Sequence, residues 1–462
     1  MNRKLAALIM LSLALLLASA TACARTPGEG NPLRIPPLLE DLDPSPEAAE
    51  YVLQAAPGIT EFFTGVPADT LGYNGSYLGP VLRLRQGEQV EIRVENGLDF
   101  PTTVHWHGLV VDGDQDGGPH QVIRQGDSWT PRFQVDQPAA TLWYHPHMAG
   151  NTAWQVYYGL AGLIYIEDGV SDNLELPREY GVDDIPLVVQ DRNFNREGNL
   201  LYSTSMMGVP AGQVLLVNGT ASPHLEVVRE RLRLRILNAS NSQNFRFRMS
   251  DKSPLVQVAS DGGFLEAPLS RSSLFLSPGE RAEVVLDFSK ARGRTLSLDS
   301  GNRKVLEFRV ARELESSPAV PDRLATLGPV TPPEPGEDIP RRMFELRSMG
   351  VSGTINGRFF DMDRLDEEVR LGEKEIWTVR NLGGMMQAGG HPFHVHGTQF
   401  RVLSRSGKLP PPEELGYKDT VHVDVGEEVE ILIRFTHEGV YMFHCHILEH
   451  EDAGMMGQFR VE

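Results

Sequence analysis

VEIRVEN at 90–96 alternates apolar and polar side chains and ends on asparagine; the pattern returns as LRLRILN at 232–238 and EIWTVRN at 375–381. Period-two alternation marks a half-buried strand. Each of these strands follows an Asn-Gly turn, at Asn74-Gly75, Asn218-Gly219 and Asn356-Gly357. A glycine–acid pair recurs at Gly126-Asp127, Gly279-Glu280 and Gly426-Glu427, and the strands beyond it read WTPRFQV, RAEVVLDF and VEILIRF. The outer copies close alike, with LAGLIYIED at 160–168 and MMGQFRVE at 455–462. Three copies of one strand grammar predict an all-β chain of three consecutive sandwiches, placed at 45–170, 180–312 and 335–462. Short helices are expected near 46–56 and 363–368. Pro318, Pro321, Pro329, Pro332, Pro333, Pro335 and Pro340 make 313–340 a stiff linker, and the proline-rich run up to about residue 46 reads as a surface arm.

The length of 462 residues exceeds one ordinary core and agrees with several domains. A formal net charge of −19 argues against nucleic acid or an anionic membrane as the main partner. Arg3 and Lys4, the apolar run from Leu5 to Leu17 and the small residues to Ala24 form a signal peptide over 1–24. The chain is therefore expected to be exported, periplasmic or secreted, and Cys23 leaves a lipoprotein open. Of the two cysteines, Cys23 lies in or beside this leader. Cys445 thus stands outside any disulfide framework, and its histidine neighbours make it a metal ligand.

Ten of the fourteen histidines sit in four segments: HWHG at 105–108, HPH at 145–147, HPFHVHG at 391–397 and HCHILEH at 444–450. Two segments are early and two late, so a metal site between the first and third sandwiches is expected. The middle copy, with His224 alone, reads as a spacer. Side chains two apart on a strand share a face, so each HxH pair presents two imidazoles together. In HCH the alternation turns Cys445 away from His444 and His446. Cys445 then serves one copper, and the flanking histidines another centre behind it. Two histidines, a cysteine and a weak axial methionine are the ligands of a blue, electron-transferring copper. His391, His450 and Met455 complete that set, with Met456 as the rival axial ligand. His120, His422 and His437 read as structural.

The four motifs, in this order and over the whole mature chain, resemble the multicopper oxidases, above all bacterial laccases and copper-efflux-type oxidases. The resemblance implies three cupredoxin-like Greek-key β-sandwiches and four copper ions. It implies a type 1 copper on His391, Cys445, His450 and Met455 and a type 2 copper on His105 and His394. Two type 3 coppers would fall to His107, His145, His147, His396, His444 and His446. It further implies that Asp116, in DQDGG, and Glu451 relay protons. The reaction it implies is one-electron oxidation of a reductant coupled to four-electron reduction of dioxygen to water.

The reductant is less sharply written. A laccase takes phenols or aromatic amines; a metallo-oxidase in copper tolerance takes Cu(I) or Fe(II). Met385-Met386, in LGGMMQAGG, and Met206-Met207 are candidate soft sites for Cu(I). The 382–390 segment is too short for a methionine-rich cover, so an open type 1 site suited to phenols is expected. A copper store built on the same sandwiches is the alternative of another class. Ligands within one chain require no stable protein partner.

Overall fold

The computed structural model describes residues 30–204, 210–327, 338–385 and 389–462. The leader with Cys23, and Met206 and Met207, lie outside them. No helix among the described residues is long and apolar enough to cross a membrane.

Three tandem cupredoxin-like β-domains form the molecule, each built on two sheets. The asparagine-ended strands lie inside one sheet of each: Gln89–Asn96, Arg231–Asn238 and Lys374–Met385. Each runs parallel to the first long strand of its domain, Ala48–Phe63, Asp184–Arg192 or Arg341–Met349. Each domain has its own apolar core, centred on residues such as Leu53 and Ile92, Leu234 and Phe308, and Trp377 and Phe443.

The repeated asparagines have a shared physical job. Asn96, Asn238 and Asn381 are buried. Their amide groups bond backbone carbonyls, of Phe100 and Ile123, of Gln243 and Leu276, and of Val423. Their side-chain oxygens accept the backbone N–H two residues on, from Leu98, Ser240 and Gly383. Their main chains bond the glycine–acid turns, whose Gly126, Gly279 and Gly426 hold φ of 79°, 85° and 79°. Glycine is favoured there because a side chain crowds the backbone at positive φ. The Asn-Gly turns carry their asparagines in the same region, at φ of 49°, 50° and 54°.

Two expected helices are absent. Residues 48–63 form a strand, whose buried Ala49, Tyr51, Leu53 and Ala55 alternate with period two. Pairing on both edges, with Gln89–Asn96 and Val66–Tyr73, overrides the helical propensity of its alanines and glutamate. Residues 363–366 are irregular, and Glu367–Val369 is a strand paired with Phe459–Val461. Among the described residues the helices are Thr152–Tyr158, Gly169–Asn173 and Leu448–Asp452, with a short 3₁₀ turn at Pro412–Glu414.

The N-terminal arm does not lie loose on the surface. Asn31–Pro32 adds a parallel strand to the edge of the middle domain beside Pro223–Arg229, and Leu33 enters the middle core. The linker also packs: Leu324 is buried against the middle domain, with its N–H on the Glu266 carbonyl at 2.9 Å.

Asn238→Ala removes three hydrogen bonds, two of them buried, and leaves carbonyls unpaired. It is expected to cost about 3 kcal/mol, read as a lower denaturant midpoint. A loss below about 1 kcal/mol would show that the turn stands without it.

Candidate metal centre

Strand registers bring the motifs together. His105 lies opposite His145 where His105–His107 pairs with Ala140–His145. His394 lies opposite His444, and Phe393 opposite Cys445, where His391–Val395 pairs with Gly439–Cys445. Cys445 therefore joins the third core beside Phe393 and Phe443. His394 and His444 point out of that core toward the first domain. Across the boundary the two HxH pairs stack ring on ring, His105 on His396 at 3.8 Å and His107 on His394 at 3.7 Å. These six histidines are buried, as are His147 and His446.

The outer nitrogens of seven rings face oxygens; that of His446 has no hydrogen-bond partner. His105 Nδ1 donates to the Asp116 carbonyl (3.0 Å), His145 Nδ1 to the Pro146 carbonyl (2.8 Å) and His394 Nδ1 to the Asp419 carbonyl (2.8 Å). His396 Nδ1 donates to Asp116 Oδ2 (2.8 Å), and His107 Nε2 to Asp419 Oδ1 (3.0 Å). His444 and His147 turn Nδ1 toward Glu451, at 3.2 and 3.5 Å. An outer N–H leaves a lone pair on the inner nitrogen. The inner Nε2 atoms of His105, His145 and His394 have no hydrogen-bond partner. Those of His147 and His396 each lie 3.1 Å from His444 Nε2, and His107 Nδ1 lies 3.2 Å from His446 Nε2. Lone pairs facing one another in a buried space repel unless cations sit between them. Copper ions fit this donor set, since neutral imidazole is a preferred ligand for them.

Burial keeps six of the rings neutral. It pulls His147 and His446 down to about 3, and His107, His145, His394 and His396 well below their ordinary value. Glu451 is pushed up by burial, but His147 and His444 outweigh that and hold it well below the usual carboxylate range.

A second group stands behind the first. Cys445 Sγ lies 3.3 Å from His391 Nδ1 and 3.6 Å from His450 Nδ1. His391 Nε2 meets Ser348 Oγ at 3.1 Å, and His450 Nε2 donates to the Gly350 carbonyl at 3.2 Å, so both rings turn Nδ1 inward. Met455 is fully buried beside them, and its N–H bonds the His450 carbonyl. Gly353 makes room for its thioether: a Cβ there would lie 2.5 Å from Met455 Sδ. Burial drives the Cys445 thiol up and His391 and His450 down, to about 3 and about 4. A cation is what makes a buried thiolate affordable here. The two groups together form the mononuclear plus trinuclear arrangement of a multicopper oxidase.

Family models described as multicopper oxidase match residues 56–171, 172–296 and 332–462. The chain belongs to the multicopper oxidase family. It is 40% identical over 431 residues to the multicopper oxidase mco of Staphylococcus haemolyticus, covering 93% of this chain and 92% of that one. It is 36% identical over 456 residues to the cell division protein FtsP of Escherichia coli, covering 95% and 94%. The laccase of Pediococcus acidilactici superposes with a TM-score of 0.91 at 37% identity, over 95% of each chain. A laccase-like multi-copper oxidase CueO from Ochrobactrum sp., with oxidase activity towards lignin model compounds, gives 0.85 at 43%, over 93% of this chain and 100% of that one.

Two expectations change. The Cys445 group is not open: His391 and His450 are 1% and 3% exposed, because residues 348–350 lie against both outer nitrogens. The middle domain is not a bare spacer, since Gly279 and Arg281 reach the cluster. Met386 lies outside the described residues, and Met385 is described only as a strand end. Ser348, Gly350, Gly353, Arg281 and Asp419 carry no motif signal; only strand pairing and domain packing bring them to the ligands.

His120 bonds Gln458 at 2.8 Å, His422 packs on Phe275, and His437 meets Thr436; none joins a ligand group among the described residues.

Unfolded imidazoles take up protons near pH 6.5, whereas the buried rings do so only near pH 3. Stability tied to them is present above pH 6.5 and is lost as pH falls toward 3. Metal-free protein should therefore melt at steadily lower temperature below pH 6.5; a flat profile would contradict the neutral-ring arrangement. Gly353→Ala should displace the Met455 thioether and weaken Cu(II) binding at Cys445, measured by absorbance titration.

Proposed function

We propose that this chain is a laccase: it oxidises phenols or aromatic amines one electron at a time and reduces dioxygen to water. The division at 45–170, 180–312 and 335–462 places the ligands in the outer two units. Type 1 copper falls to His391, Cys445, His450 and Met455. Type 2 copper falls to His105 and His394, and the type 3 pair to His107, His145, His147, His396, His444 and His446. The observation that carries the redox reading is Cys445 standing between His444 and His446 on one backbone. Its sulfur faces His391 and His450 while its neighbours face the cluster. A family member named for cell division shares the fold, so the ligand set rather than the fold supports oxidase chemistry. A copper store has no need of this bonded bridge between two centres.

When bound, the coppers supply one-electron acceptance at the sulfur site and pooled electrons for dioxygen at the cluster. The chain's own residues do the rest. Residues 348–350 cover the outer nitrogens of His391 and His450, so a reductant docks on this cover and its electron crosses to the rings. Asp116 holds His396 and keeps Oδ1 without a protein partner, and the Glu451 carboxylate stands between His147 and His444. These two acids are placed to pass protons to reduced oxygen. The resemblance to a laccase and to an enzyme acting on lignin models supports organic reductants. An export leader, outside the described residues, supports work beyond the cytoplasm.

A second reading, cuprous oxidase, is favoured by one observation. Met349 is 58% exposed and pairs across the ladder with Met385, beside Ser348 and Gly350 over the type 1 histidines. The Met349 thioether there suits Cu(I).

Oxygen uptake by copper-loaded protein, with a simple phenol and with Cu(I), separates the two. Enzyme-dependent phenol turnover with little Cu(I) oxidation is expected. The reverse would make copper detoxification the function. Cys445→Ser should abolish both the blue colour and reductant oxidation; a blue variant would remove the type 1 assignment.

A further inference from the structure

The middle domain has no histidine motif, yet two of its residues reach the imidazole cluster. Gly279 lies so close to His446 that a Cβ there would sit 2.9 Å from the ring. Two residues on, Arg281 opens the strand Arg281–Asp287 with its side chain fully buried. Its guanidinium grips Asp419 of the third domain at both ends, Nη1 to Oδ1 at 2.7 Å and Nη2 to Oδ2 at 2.6 Å. The other donors are also used. Nε bonds the Thr141 carbonyl of the first domain at 3.1 Å, Nη1 the Gly279 carbonyl at 3.0 Å and Nη2 the Asp261 carbonyl at 3.1 Å. All five N–H groups of the fork thus have an acceptor, drawn from all three domains.

Asp419 passes this hold to the metal ligands. Its Oδ1 accepts from His107 Nε2 at 3.0 Å, and its carbonyl from His394 Nδ1 at 2.8 Å. These two rings form one of the pairs that stack across the domain boundary. Gln399 Nε2 and Thr420 Oγ1 occupy further lone pairs of the carboxylate, at 2.9 and 3.0 Å. Gly108, the last residue of HWHG, clears the space. A Cβ there would lie 2.7 Å from Asp419 Oδ2 and 2.9 Å from Arg281 Nη2. An ion pair serving only to join domains needs no ring nitrogen on its carboxylate; this one holds His107 Nε2, while the main-chain carbonyl of the same aspartate holds His394 Nδ1.

We propose that Arg281 is a positioning residue for the trinuclear cluster: its bidentate grip fixes the Asp419 carboxylate that holds His107 with Nδ1 inward, and braces the residue whose main-chain carbonyl holds His394 with Nε2 inward. The inference rests on the copper assignment made above. Without Arg281 the buried carboxylate loses its counter-charge and turns from its place, and His107 loses the acceptor that sets its tautomer.

The test compares wild type with Arg281→Lys, Arg281→Gln and Asp419→Asn after reconstitution with copper. Copper per chain, the blue absorption and the type 2 electron paramagnetic resonance signal are read in parallel, with the melting of each metal-free protein. Lysine keeps the charge but loses the fork. All variants should keep the blue copper. Arg281→Gln should hold cluster copper about 10- to 100-fold less tightly against a chelator, with Arg281→Lys between it and wild type. The type 2 signal should change in each. Unchanged cluster affinity and type 2 signal in Arg281→Gln would overturn the proposal, and so would loss of blue and cluster copper in equal proportion, which marks a general structural role. If Arg281→Gln does not fold, Arg281→Lys and Asp419→Asn decide by the same criteria. Wild type that never shows a type 2 signal would overturn the copper assignment itself, and the inference with it.

Discussion

Neutral imidazoles from two domains aim their lone pairs at one another inside a buried space, and the rest of the molecule exists to keep them there. Rings free to turn would rotate their N–H groups into the gap and bond each other. Oxygen acceptors on the outer nitrogens prevent this: the Asp116 carbonyl and carboxylate, the Asp419 carbonyl and carboxylate, the Pro146 carbonyl and Glu451. Each acceptor chooses a tautomer, and each tautomer leaves a metal-binding lone pair facing inward. The donor set is thus prepared at a free-energy cost in the metal-free state, which bound cations offset.

One short stretch of chain distributes this organisation. After Cys445 the helix Leu448–Asp452 sends consecutive residues to different places. Glu449 accepts from Asn241 of the middle domain at 2.9 Å. His450 faces the Cys445 sulfur. Glu451 faces His147 and His444. Asp452 accepts the N–H groups of Thr152 and Ala153, both at 2.9 Å, and so caps a helix of the first domain. Leu448 packs on Ala153 and Val156 of that helix. A helical turn advances about 100° per residue, so four neighbours can address four surroundings. The sulfur site, the cluster and both domain contacts are therefore mechanically one unit.

The middle domain belongs to that unit. Gly279 against His446 and Arg281 on Asp419 place its glycine–acid turn at the cluster. The same turn in the outer copies, at Gly126 and Gly426, has open space beyond it. One repeated backbone device thus faces open space in the outer copies and the cluster in the middle one, and only domain packing distinguishes them.

The sequence by itself determined the repeat, the strand alternation and the pairing of ligands within each motif. These depend on period two and on turn residues such as Asn74 and Gly126, which act over a few residues. It misled at 48–63, where alanine and glutamate favour a helix locally but pairing on two edges makes a strand. It was silent on Ser348, Gly353, Arg281 and Asp419, whose side chains are ordinary and whose importance is positional. Tertiary structure decided which histidines stack across the boundary, which nitrogen of each ring faces inward and how deeply the sulfur site is covered. Those outcomes depend on distances of about 3 Å between residues hundreds of positions apart, and no local pattern in a chain encodes such a distance.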